Sequence, residues 1–309
     1  MTTPSSGRAT SELLLPGATA MDAVTLHVAD LPAMTAYYRD ALGLVELDGA
    51  AARTAVDLAT PGAAGAQHAV LGRGGTPLVV LVHTPGLPAP KAGEAGLFHT
   101  ALLFPDREGL ADAVARAAQH PRSRYVGSAD HLVSNAFYFT DPEDNGIELY
   151  WDRPREQWDW QAGRVVMDNA PLDPNAFLRE HVAAPLDQPA GGSAEVGHVH
   201  LKVGDVETAR AFYVDTLGFE VTAEWHGALF VAAGGYHHHM AMNTWQSRGA
   251  GARAATLGLG QVSLVLPARS DLDALADRLR AARVDVRDDG RTLRFEDPWK
   301  SLLEVSAAA

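Results

Sequence analysis

Thirteen histidines and no cysteine are present in this 309-residue chain. Thiolate metal sites, disulfide frameworks and thiol nucleophiles are thereby excluded together, so any metal is held by imidazole and carboxylate. The histidines are not scattered evenly. His237, His238 and His239 form a triplet inside Gly234-Gly235-Tyr236, then Met240-Ala241-Met242-Asn243-Thr244-Trp245, an internal and apolar context that reads as a strand. Asp130-His131 precedes Phe137-Tyr138-Phe139-Thr140-Asp141-Pro142, which leads to Asn145-Gly146-Ile147-Glu148. His99, His198 and His200 lie in short apolar runs. Two imidazoles and one carboxylate can bind a divalent cation on one side and leave its other positions open. A histidine with an ordinary pKa of about 6.5 can also remove or return a proton near neutral pH.

The elements that must position these groups are repeated. Val24-Thr25-Leu26-His27-Val28-Ala29-Asp30 runs into a helical stretch with Tyr37-Tyr38, Asp40 and Leu42-Gly43. Val199-His200-Leu201-Lys202-Val203-Gly204-Asp205 runs into Phe212-Tyr213, Asp215 and Leu217-Gly218. Each reads as a strand, an Asp that caps a helix, and a Gly that ends it. Two further units begin at Phe98 to Pro105 and Gly260 to Pro267, and each ends with Asp-Pro seven residues before a Glu: Asp141 before Glu148, Asp297 before Glu304. The chain therefore divides into modules at 21–85, 96–152, 196–246 and 257–307. The first two make a domain at 21–152 and the last two a domain at 196–307. A Pro-rich and small-residue connector, 153–195, with Pro171, Pro174, Pro185, Pro189 and Gly191-Gly192-Ser193-Ala194, separates them.

Composition narrows the partners. With 47% hydrophobic and 20% charged residues the chain can bury two cores. The net charge of −13 is spread along the chain without a basic stripe, so nucleic acid and membrane surfaces are not expected partners. The first fifteen residues lack a secretory apolar core, and no run approaches the roughly 18 apolar residues that span a bilayer. A soluble cytoplasmic protein is the expectation.

Strand-helix-strand-strand-strand units that begin x-V-x-L-x-V-x-D and end D-P-x-x-N-G-I-E resemble the vicinal oxygen chelate superfamily over most of the chain. That superfamily includes glyoxalase I, fosfomycin resistance proteins, bleomycin-binding proteins and type I extradiol dioxygenases. The resemblance implies an α+β fold of four βαβββ modules forming two half-open mixed β-barrel domains. It also implies a metal inside a barrel, with ligands on first and last strands. One ligand commonly lies seven residues before the Asp that ends the first strand, which is His198 in module three and Ala23 in module one. Module two has His99 six residues before Pro105, and module four has Gln261 six residues before Pro267. The last strands supply Glu148 and Glu304. His99, His198 and Glu148 are the expected metal ligands, whereas His27 and His200 are expected in hydrogen-bonded core roles and Glu304 in a structural or solvated one. No sequential pairing of modules joins the three ligands. Pairing module two with module three does, and that crossed arrangement is favoured.

The neighbours of Glu148 choose among the activities. In extradiol dioxygenases a Tyr lies ten residues before the ligand Glu and a His somewhat under twenty before it; Tyr138 and His131 match, whereas module four has Arg294 and Arg287 there. The triplet resembles the segment bearing an acid/base His, for which His239 is the best match. Strand alternation puts His237 on the face of His239 and His238 on the other. For these two, structural packing is the first expectation and substrate contact the second, and which of the three is the base stays open. The Tyr236-to-His239 and Asp152-to-Pro154 segments are most similar to those of two-domain bacterial catechol 2,3-dioxygenases. The implied activity is metal-dependent extradiol (meta) cleavage of a catechol-like diol by O2, with Fe(II) the expected metal and Mn(II) the second. The alternatives are a glyoxalase-like lyase or isomerase and a non-catalytic drug-binding protein. Homo-oligomerisation through exposed strand edges is left open.

Overall fold

The structure, a computed structural model, describes residues 14–59, 66–183, 186 and 190–308. Each module forms as a strand, a helix and three strands. Module one has the strand Val24–Val28, the helix Leu31–Leu42 and the strands Val45–Glu46, His68–Arg73 and Thr76–His83, with an added helix Gly49–Ala59. Module two has Gly96–Leu103, the helix Arg107–Gln119, and Arg124–Asp130, Ser134–Thr140 and Gly146–Asp152. Module three has Glu195–Lys202, the helix Val206–Arg210 continued by the π-helical Ala211–Thr216, and Glu220–Trp225, Ala228–Ala232 and Met240–Asn243. Module four has Gly258–Leu266, the helix Arg269–Ala281, and Val286–Asp288, Thr292–Glu296 and Leu302–Ala307.

Local chemistry sets these boundaries. The carboxylates of Asp30 and Asp205 accept from the backbone N–H groups of Ala33 and Thr208, satisfying donors that a helix start leaves free. Past the helix of module one, Gly43 takes a left-handed φ of 66° and its N–H bonds the Tyr38 carbonyl, ending the helix.

Two mixed nine-stranded sheets result, and they cross the order of the chain. Modules two and three share one sheet through their first strands, which run antiparallel with His200 opposite His99. Modules four and one share the other through Gly258–Leu266 and Val24–Val28. Within modules two and three, each first strand also lies parallel to the last strand of its own module. The ligand-bearing strands of the central modules are thereby adjacent, which is the pairing that the placement of His99, His198 and Glu148 favours.

The two Asp-Pro motifs tie consecutive modules together. Tyr38 Oη donates to Asp141 Oδ2 at 3.0 Å, and Tyr213 Oη donates to Asp297 Oδ2 at 3.1 Å. Strand pairing thus links modules two to three and four to one, while the Tyr–Asp bonds link one to two and three to four. Buried residues of all four modules, among them Leu26, Leu102, Val199 and Leu264, form one apolar cluster. The connector contributes the helix Pro174–His181, capped by Asp173; Pro185 and Pro189 lie outside the described residues. Among the described residues no helix is long and apolar enough to cross a membrane.

Candidate metal centre

Three strands of the central sheet bring the expected ligands together. His99, Glu148 and His198 each offer an atom within 4.8 Å of the others, and all three are buried. His198 Nε2 is 3.1 Å from Glu148 Oε2, and His99 Nε2 is 2.9 Å from the same oxygen. The second contact does not have hydrogen-bond geometry, so His99 Nε2 is a buried polar atom without a hydrogen-bond partner. Such an atom is costly unless something else binds it. Burial lowers the His198 pKa to about 4 against the pull of Glu148, so its ring is a neutral imidazole, the form that ligates. Burial alone would raise the Glu148 carboxyl, but the His198 and His99 rings outweigh it and hold the group well below the usual carboxylate range. The neutral His198 imidazole, one ionised carboxylate and a His99 ring nitrogen without a hydrogen-bond partner fit a divalent cation.

Tight packing supports this cluster. The ring of Tyr150, on the strand of Glu148, lies 4.9 Å from that of His198. Its hydroxyl passes directly over Gly197, where any Cβ would overlap it. A glycine beside the ligand is required there by the close approach of the tyrosine.

A cavity of about 470 Å³ opens beside the cluster, with His99, Glu148, Tyr138, His131, His200 and His238 in its wall. Tyr138 stands opposite Glu148 in the strand ladder. Burial and the Glu148 charge push its phenol well above the usual tyrosine pKa, so it is a hydroxyl donor at neutral pH. His131 Nε2 is 2.6 Å from Tyr138 Oη, and His131 Nδ1 is 3.0 Å from the Asp168 carbonyl. A carbonyl only accepts, so the proton is on Nδ1 and Tyr138 donates to Nε2.

The histidine triplet is arranged differently from a strand. The strand begins only at Met240, because Gly234 and Gly235 turn the chain with φ of 63° and 67°. Alternation therefore does not govern residues 237 to 239, and His238 is the member that lines the cavity. Its ring lies 4.0 Å from that of His198. His237 Nδ1 is 2.7 Å from His238 Nδ1, and His237 Nε2 is 2.9 Å from Asp152 Oδ1. His239 lies outside the cavity wall; its Nδ1 accepts from the Ala233 N–H at 3.2 Å, and burial lowers its pKa to about 3. His200 is both a core residue, bonded to Asn243 Nδ2 at 3.0 Å, and a wall residue of the cavity.

Sequence reasoning missed Asp152 as a partner of His237, and it missed the connector as part of the site. Met167 and Asn169 line the cavity and the Asp168 carbonyl sets the His131 tautomer. Asp152 stood in the Asp-Arg-Pro segment noted for its similarity, but no motif marks the connector residues.

A family model described as the Glyoxalase/Bleomycin resistance protein/Dioxygenase superfamily matches residues 20–149 and 195–305. The chain belongs to this superfamily. A relative from Bacillus subtilis (strain 168), named Catechol-2,3-dioxygenase, is 38% identical over 231 residues, 72% of this chain and 78% of the relative. Among solved structures, a putative dioxygenase from the same species superposes with a TM-score of 0.60 at 14% identity, covering 93% of this chain and 84% of that one. Glyoxalase I from Zea mays superposes with a TM-score of 0.54 at 15% identity, covering 94% and 92%. Both superpositions establish the shared fold. As both named activities occur on it, the choice of chemistry rests on the site.

Proposed function

We propose that this protein is a metal-dependent extradiol dioxygenase that opens the ring of a catechol-like diol with O2 and incorporates both oxygen atoms. The observation that carries the reading is one cavity walled by His99, Glu148 and the hydrogen-bonded Tyr138–His131 pair, with His198 directly behind. The relative named Catechol-2,3-dioxygenase supports it. His99, His198 and Glu148 would hold the metal, Fe(II) before Mn(II), within a half-open barrel formed by modules two and three. Bound there, the metal supplies a Lewis-acidic, redox-active centre with open positions for the diol and O2.

The side chains divide the remaining work. Tyr138, held by His131 and set beside Glu148, hydrogen-bonds a substrate oxygen next to the ligands. Asp152 accepts from His237 Nε2–H, which leaves His237 Nδ1 to accept from His238 Nδ1–H. His238 Nε2 is then an unprotonated acceptor on the triplet residue that faces the cavity. Burial and the neighbouring His198 hold its pKa well below the ordinary histidine value, so the ring is neutral in the resting site. We therefore assign the acid/base role to His238, ahead of the sequence-favoured His239. Phe98 and Phe230 wall the same cavity and exclude water from the ring. A glyoxalase-like reaction would usually have a carboxylate at the position of His239, where this chain has histidine. Anaerobic loading with Fe(II), followed by oxygen uptake over a catechol panel, tests the proposal. Stoichiometric O2 consumption with a ring-opened product is expected, and none with any diol would overturn it.

A further inference from the structure

The strand that carries His198 continues along the cavity. Side chains two apart share a face, so His198, His200 and Lys202 point the same way, and both His200 and Lys202 line the wall. At about 3.3 Å per residue, Lys202 stands roughly 13 Å along the strand from the ligand, with its flexible stem able to turn back toward a bound ring.

Lys202 has no hydrogen-bond acceptor or ion-pair partner for its ammonium among the described residues. The other cation of the wall, Arg124, is paired with Asp144 at 2.9 Å. Of the two carboxylates in the wall, Glu148 faces the ligand histidines and Asp144 faces Arg124. Burial first and Arg253 second pull the Lys202 pKa below the usual lysine value, while Glu94 opposes them without forming an ion pair. A half-buried ammonium without a counterion is costly, and an incoming anion would offset that cost.

We propose that Lys202 forms an anion subsite at the far end of the cavity, selecting a catechol that carries a carboxylate on its ring or on a short side chain. The inference rests on the ring-cleavage reading and names its substrate class. The diol end binds at His99, His198 and Glu148, the ring packs between Phe98 and Phe230, and the carboxylate meets Lys202.

The test compares 3,4-dihydroxyphenylacetate with its methyl ester, which has nearly the same shape and no charge. Anaerobic binding by calorimetry and aerobic kcat/KM are measured for the Fe(II)-loaded wild type, Lys202→Met, Lys202→Glu and Lys202→Arg. The wild type should prefer the acid. That preference should fall at least about tenfold in Lys202→Met, reverse in Lys202→Glu and return in Lys202→Arg, as expected for loss of a charge-assisted bond. An equal acid-to-ester ratio in the wild type and Lys202→Met overturns the subsite. Oxygen uptake with the ester or plain catechol shows at the same time that ring cleavage stands. If neither compound nor catechol is oxidised, ring cleavage fails and the anaerobic binding ratio still decides the subsite.

Discussion

The two sheets carry the same architecture with opposite electrostatics. In the central sheet Glu148 faces His198 and His99 and stands opposite Tyr138. In the outer sheet Glu304 occupies the equivalent place on its strand and stands opposite Arg294, whose guanidinium lies 3.4 Å from it. Gln261, the counterpart of His99, donates to Ser263 Oγ at 3.0 Å. Glu148 is held well below the usual carboxylate range. Burial raises Glu304 to about 8, against the pull of Arg294. Arg294 also bonds Asp289 at 2.9 Å, so its charge is shared. One backbone position has thus been used twice. The central copy presents ring nitrogens and an open cavity to an external cation, whereas the outer copy places a cation of the chain beside its carboxylate.

The comparison breaks most visibly on metal content. His99→Ala, His198→Ala and Glu148→Ala should each weaken Fe(II) binding by more than the roughly 10- to 100-fold typical of losing an outer-shell partner. Glu304→Ala should bind as the wild type does. Equilibrium dialysis with metal analysis reads this, and equal loss in all four variants would mean that the outer sheet also holds metal.

A smaller effect concerns turnover at constant metal content. His238→Ala should keep its Fe(II) and lose roughly 10²- to 10⁴-fold in single-turnover rate, the usual cost of a missing acid/base. His239→Ala, with its ring outside the cavity wall, should lose far less. The reverse order would return the role to His239.

The smallest effect is a pH slope in stability. The Glu304 pKa is raised to about 8 in the folded chain from an ordinary 4.5, so between those values the folded state keeps a proton that the unfolded state has released. Stability should therefore fall as pH rises through that window, by at most about 1.4 kcal/mol per pH unit. Glu304→Gln removes this slope, so urea midpoints should favour the variant more at pH 8 than at pH 5. The opposite trend would show Glu304 ionised in a tight pair with Arg294.

The amino-acid sequence by itself determined the four modules and the identity of the cluster His99, Glu148 and His198. Caps, glycine stops and Asp-Pro offsets are local, and local chemistry repeats wherever the same residues recur. The proximity of Tyr138 and His131 was equally legible, because both stand at set offsets from Glu148 in one hairpin. Tertiary structure decided the rest. Crossed pairing, which the placement of His99, His198 and Glu148 favoured, is made by the ladders that join the first strands of modules two and three and of modules four and one. The histidine triplet lies between the turn at Gly234 and Gly235 and the strand that begins at Met240, so strand alternation could not choose among its members, and His238 is the one in the cavity wall. The connector residues Asp168 and Asn169 have no motif. Their roles exist only because distant segments close over one cavity, and sequence spacing holds no record of that contact.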